Sequence, residues 1–277
     1  MRVGTSTNIT MMTMGIIIMG NGADTPPPLV GGGRGEGSLR TGRGPTPPPD
    51  PLPQGEGESS ATSAYALLRL LTWLSPAFPT GGFAYSHGIE WAVEAGDIKD
   101  ADTLRAWLTD LLTHGTARSD TILLRHAHRN EADSIALREI AALGLAATPS
   151  RERRDEALNQ GRAFVLAVAP WTATELPEDA PYPVAVGAAA GRKNLPEDDI
   201  AVAYIQAFAT NLISAAVRLV PLGQTDGLRV LAALEPVILA TGGETKTATL
   251  DDLGGCAFRS DLAAMRHEAQ YTRLFRS

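Results

Sequence analysis

From residue 63 onward the chain sets apolar stripes at helical spacing between short polar or Gly/Pro breaks. Residues 63–74 (SAYALLRLLTWL) place Leu67, Leu70, Leu71 and Leu74 on one face, the spacing of an amphipathic helix. Ser75-Pro76 stops it, because the residue before proline is pushed out of the helical region. A loop with Gly81-Gly82 follows, then a helix over 84–95 that Gly96 closes. Asp100 or Asp102 caps the next helix, where Leu104, Trp107, Leu108, Leu111 and Leu112 recur with helical period. Further helices fit 118–129 and 131–146, and one capped by Ser150 runs to about Trp171. Residues 172–182 read as a proline- and acid-containing loop. Helices then fit 183–192 and, behind Pro196, 197–219, with Ile200, Tyr204, Ile205, Phe208, Leu212 and Ala216 on one face. A helix from Thr225 meets Pro236, which should kink or end it. A short turn at 249–255 leads to a last helix near 260–270.

No segment alternates with period two, and no Asn-Gly turn joins β-rich runs. The pattern therefore predicts an all-α fold, a compact bundle of about eight to ten helices. Small faces at Ala188–Ala190 and Ala215-Ala216 predict close helix approach. Aromatic residues are only 5% of the chain, and alanine and leucine dominate from position 60, a bias that favours helix over strand.

Before that point the composition is different. From Gly20 to Glu58, 20 of 39 residues are Gly or Pro, too few apolar groups to offset chain ordering, so residues 1–60 read as a disordered extension. An over-extended start that translates repetitive upstream DNA would look the same, so this stretch also reads as non-native. Gly33, Gly35 and Gly37 imitate a phosphate loop but lack the strand before and the helix after that such a loop needs. The globular domain spans 62–277.

The net charge of −7 argues against non-specific nucleic-acid binding, which neutralises phosphates with Lys and Arg. No apolar run reaches the roughly 18–20 residues that cross a bilayer. Ile9–Met19 is short and only weakly imitates a secretory signal. The single cysteine, Cys256, excludes an intrachain disulfide and a thiolate zinc site and fits a reducing, cytoplasmic setting. It reads as a partly buried residue in a Gly-rich connection.

Three patterns invite a chemical reading. Ala84-Tyr85-Ser86-His87-Gly88 approximates the serine elbow of hydrolases, so a helical hydrolase using Ser86 and His87 is the competing function. No hydrophobic strand precedes it, however. His126 and His128 stand two apart, so on a helix they point to different sides and cannot share one ion; no tight metal site is expected. No P-loop occurs, so any nucleotide-driven step needs a partner GTPase.

The chain's last residues combine Arg266, Arg273 and Arg276 with exposed-looking Tyr271, Leu274 and Phe275. Arginine with aromatic anchors is the composition of interface hot spots; the competing reading docks Leu274 and Phe275 on the protein's own core. The apolar loop at 75–83 reads either as a rigid core corner or as part of a contact surface.

Several ordered blocks carry a family likeness. SPAFPTGGFAYSHGIE at 75–90 is followed by GRAFVLA at 161–167, PVAVGAAAG at 183–191 and SAAVRLVPLGQTDGLRVL at 214–231. The likeness ends with Arg259-Ser260-Asp261, His267-Glu268 and Leu274–Ser277. Over about residues 62–277 the chain resembles the urease accessory protein F family. The resemblance implies an all-helical, non-enzymatic chaperone subunit and a homodimer. It also implies a complex with urease accessory proteins D (H in some bacteria) and G on apo-urease, in which the G subunit binds GTP and nickel is handled by the complex. No catalytic residue, tightly bound cofactor or resident metal is implied. The positions carried over for partner binding are Tyr271, Arg273, Leu274, Phe275 and Arg276, with Arg218 and Gln224 as a second set. The signature loop contributes Pro79, Gly81, Gly82, Phe83, Ser86 and Gly88. Tyr182 stands where many members have histidine, so no nickel role is carried to that position.

Overall fold

A computed structural model describes residues 55–172 and 176–277, with side chains from Ser63 onward. The expected extension over 1–60 lies outside the described residues except for its end, which is helical. The helices are α1 (Gly55–Trp73), α2 (Ile89–Glu94), α3 (Ala101–His114), α4 (Thr116–Arg129), α5 (Ser134–Ala146), α6 (Arg151–Val168), α7 (Tyr182–Arg192), α8 (Glu197–Leu219), α9 (Gln224–Glu244) and α10 (Phe258–His267). Among the described residues there is no strand, as the missing period-two pattern predicts.

Local chemistry sets several boundaries. Asp100 opens α3 in a capping box with Thr103, its carboxylate accepting from Thr103 N at 2.9 Å. Asp133 caps α5 by accepting from the amides of Ile135 and Ala136, and Ser150 caps α6 through Arg153 N. Each satisfies a donor that the first helical turn leaves free, worth about 1 kcal/mol. Glu197, Asp198 and Asp199 crowd the first turn of α8, where the helix dipole favours negative charge.

Two apolar clusters fill the interior. One gathers Trp73, Phe78, Leu124, Phe164 and Val184; the other gathers Ile89, Leu104, Leu108, Leu212 and Leu234. α4 supplies Leu123 and Leu124 to the first and Ala117 to the second, and α8 supplies Tyr204 to the first and Ile205 to the second. These two helices therefore join both halves. Arg125 of α4, 1% exposed, strengthens the join by donating to Glu197 (2.7 Å), Asp198 (2.9 Å) and the carbonyl of Gly242 (2.7 Å).

The small-residue faces behave as expected. Ala188, Ala189 and Ala190 are fully buried, as are Ala215 and Ala216. At the neighbouring Gly187 a Cβ would sit 2.1 Å from the carbonyl oxygen of Leu124. Only glycine lets α7 lie this close to α4.

Five expectations need correction. The α1 stripe is rotated: Ala66 and Trp73 are buried and Leu70 and Leu74 half-buried, while Leu67 and Leu71 are exposed. The large Trp73 ring sets the rotation by stacking edge-on against Phe164 and Trp171. α1 also begins at Gly55, upstream of the expected 63. Pro236 does not interrupt α9, which runs through it. Buried Leu234 and Ile238 hold both sides of the proline, and Ala232, whose carbonyl loses its donor, faces solvent. Cys256 is exposed rather than partly buried. Finally, α8 is long and apolar enough to cross a membrane by length and composition, with half of that stretch buried. It packs along α9 and α4.

Candidate functional site

The signature loop leaves α1 by turning Phe78 inward onto Phe164, with ring centroids 5.5 Å apart. Gly81, at φ 75°, starts a 3₁₀ turn over Gly82–Ala84 that leaves Phe83 70% exposed. Pro79 is exposed as well. Tyr85 and Ser86 then enter the interior. His87 (φ 61°) and Gly88 (φ 78°) are consecutive left-handed residues. Gly88 has a second constraint, since a Cβ there would lie 2.6 Å from the backbone nitrogen of Ala264 in α10. These two residues delay the second helix: it begins at Ile89, not at 84 as its apolar pattern suggests.

The chain's last residues return to this loop. Arg276 N donates to Ala84 O at 2.9 Å, and Ser86 N donates to the Ser277 backbone oxygen at 2.9 Å. Ser86 Oγ donates to the same oxygen at 2.5 Å. Glu90 accepts from the amides of Leu274 (2.6 Å) and Phe275 (2.9 Å). His267, fully buried, lies between Glu152 (2.6 Å) and Glu90 (3.2 Å). Arg273 bonds Glu152 at 2.5 Å, and Gln270 donates to Glu94 at 2.5 Å. Arg218 of α8 closes the junction: its guanidinium stacks on the Phe275 ring at 4.4 Å and donates to Phe83 O at 2.9 Å.

Beneath the loop is a cavity of about 250 Å³ whose lining includes His87, Asp120, Arg153, Glu156, Tyr204 and Phe208. Nδ1 of His87 sits 2.5 Å from Arg153 Nη1 and 3.1 Å from Glu156 Oε1. Arg153 also pairs with Glu156, which accepts from Gln160 (2.9 Å) and from the Ser277 hydroxyl (2.6 Å). Burial, with the Arg153 charge, pushes His87 down to about 4, so the imidazole is neutral at pH 7. Burial opposes the charge on Glu156, but Arg153, His87 and the Ser277 hydroxyl outweigh it and hold that carboxyl well below the usual range. Asp120, which accepts from Tyr204 Oη at 2.9 Å, is pushed by burial up to about 6 despite Arg153. Nε2 of His87 and Nε of Arg153 have no partner among the described residues, which suits ordered water in such a cavity.

The sequence-predicted residues are thus partly brought together and partly divided. Phe83, Ser86, Arg218, Phe275 and Arg276 meet at one junction, and Gly88 packs against α10. Phe275 is 5% exposed and fills the space under Arg218, which follows the core-docking reading for this residue and not for Leu274. Tyr271 and Leu274 do face outward, at 102% and 76%. Gln224 opens α9 with an exposed side chain and takes no part in these contacts. Ser86 is buried and its hydroxyl is engaged by Ser277, while His87 is engaged by Arg153 and Glu156, so no nucleophile–base pair forms. His126 and His128 bond the carbonyls of Ala248 (3.1 Å) and Leu195 (2.8 Å). No group of three or more His, Cys, Asp or Glu is placed to hold a metal among the described residues. Sequence reasoning missed Glu90, Glu152, Arg153 and Glu156. Only Glu90, at the end of the signature block, carried a signal.

Comparison with known proteins gives a consistent result. The UreF family model matches residues 98–235. A urease accessory protein UreF from Rhodopseudomonas palustris (strain BisB18) is 53% identical over 227 residues, covering 78% of this chain and 94% of the relative. The one from Bradyrhizobium sp. (strain BTAi1) is 53% identical over 221 residues, covering 76% and 92%. That from Xanthobacter autotrophicus (strain Py2) is 52% identical over 227 residues, covering 78% and 93%.

Proposed function

The chain belongs to the UreF family of urease accessory proteins, and from that premise we propose that it acts in urease maturation as a non-catalytic adaptor. In this reading it joins the D (or H) and G accessory proteins on apo-urease, in the cytoplasm and as a homodimer. It regulates the G-subunit GTPase that accompanies nickel insertion. Nickel is cargo and GTP belongs to the partner, so the chain itself needs neither a metal site nor a nucleotide loop.

The observation that carries this reading is the two-sided build of residues 271–276. Their inner side is anchored by buried groups, while Tyr271, Leu274 and the Arg276 side chain are exposed. A rigidly held strip of aromatic, apolar and arginine side chains loses little entropy on docking, which is how interface hot spots are built. Exposed Phe83 and Arg218 lie beside it and extend the strip.

The test is co-purification with the D (or H) and G accessory proteins from cells that express urease. Deletion of residues 271–277 should abolish capture while leaving helicity by circular dichroism unchanged. Arg276→Ala should weaken binding by roughly 1–3 kcal/mol. Full capture by the deletion variant would overturn the docking assignment.

A further inference from the structure

Glu90 stands in the first turn of α2, 6% exposed, at the helix end where the backbone dipole favours a negative charge. Its two oxygens divide the work. Oε1 accepts from Leu274 N at 2.6 Å; Oε2 accepts from Phe275 N at 2.9 Å and lies 3.2 Å from His267 Nε2. Two adjacent amides on two carboxylate oxygens form a bidentate, charge-assisted pair. Among the described residues those amides find no backbone acceptor, and leaving such donors unpaired away from water is costly. The same two residues are where the strip turns: the Leu274 side chain goes out and the Phe275 side chain goes in.

We propose that Glu90 is a positioning residue for partner binding. Its carboxylate fixes the backbone at 274–275, so that Tyr271, Leu274 and Arg276 are presented outward in a single arrangement. The surface so formed fits a protein that offers an apolar pocket for Leu274 and Tyr271 and a carboxylate or carbonyl acceptor for Arg276. The inference rests on the docking role assigned above to this segment.

Glu90→Gln tests it, because an amide group keeps the shape but presents a donor where a second acceptor is needed. Glu94→Gln is the control, since Glu94 sits one turn later and holds only the side-chain amide of Gln270. In the full chain, Glu90→Gln should speed amide exchange at 274–275 by ~10-fold or more, the scale of a lost charge-assisted hydrogen bond. It should leave helicity intact and lose most capture of the D (or H) accessory protein. Glu94→Gln should do neither. Should Glu90→Gln lose helicity, Glu90→Asp carries both readouts, since it keeps the charge but withdraws it by one methylene. Unchanged exchange overturns the proposal, and so does faster exchange with undiminished capture. If capture survives Glu90→Gln and is lost on deletion of 271–277, the role of Glu90 falls and the docking reading stands. If it survives both, the docking reading falls as well.

Discussion

The α4–α7 contact and the junction between the signature loop and residues 268–277 are both buried, yet they are held in opposite ways. α7 is built mostly of small residues, and its Gly187 rests against the backbone of Leu124. That contact is apolar and depends on shape. The junction is polar and depends on direction. Glu90, Glu152 and Glu156 accept from amides, a guanidinium and a hydroxyl, and one aromatic ring, Phe275, is buried with them. An apolar contact tolerates many sequences of suitable volume. A buried charge network fails when one member is removed, because the remaining charge is uncompensated. The α4–α7 contact is thus exacting about size, and the junction about charge and direction.

The strongest way to break this contrast is Arg153→Leu. It leaves Glu156 without its main counter-charge and should cost about 3–5 kcal/mol, read from urea unfolding followed by circular dichroism. A loss under about 1 kcal/mol would mean that the junction is not held by charge.

Gly187→Ala probes the other region. In an unconstrained helix the change would gain about 1 kcal/mol, but here overpacking against Leu124 should make it destabilising by roughly 1–3 kcal/mol. The sign is the test: a rise in the unfolding midpoint would refute the close approach of α4 and α7.

Asp120→Asn sharpens the contrast through pH. His87 titrates at about 4 in the folded chain against 6.5 unfolded, so the unfolded chain binds more protons between those values. Stability falls as pH drops through that window. Asp120 titrates at about 6 folded against 3.8 unfolded, which gives the opposite slope over nearly the same range. The two largely cancel in the native protein. Asp120→Asn should uncover the His87 slope, so the variant's unfolding midpoint declines from about pH 6.5 to about pH 4 while the parent's changes little. Parallel curves for the two proteins would show that these groups are not coupled to folding as their burial implies.

How far the sequence revealed these features depends on whether their causes are local. The span 197–219 is the observed α8, and the Ser150 cap is the observed start of α6, because periodicity and capping are nearest-neighbour chemistry. The continuation of α9 through Pro236 was not legible, since burial of Leu234 and Ile238 decides it. The rotation of α1 was hidden for the same reason: Trp73 finds its aromatic partners far along the chain, at Phe164 and Trp171. At the site, composition marked the closing segment and the loop as unusual. It could not show that each is the other's partner, because Ser86 and Ser277 are 191 residues apart. Nor could it separate Leu274 from Phe275, neighbours of similar character that face opposite ways.

The bond between Ser86 and Ser277 also makes the two segments one thermodynamic variable. A binder that prefers Phe83 in the joined arrangement must raise the affinity for a binder of Tyr271 in that same arrangement, and by the same factor in reverse, since coupling between sites is reciprocal. Two partners that never touch would then sense each other through this junction.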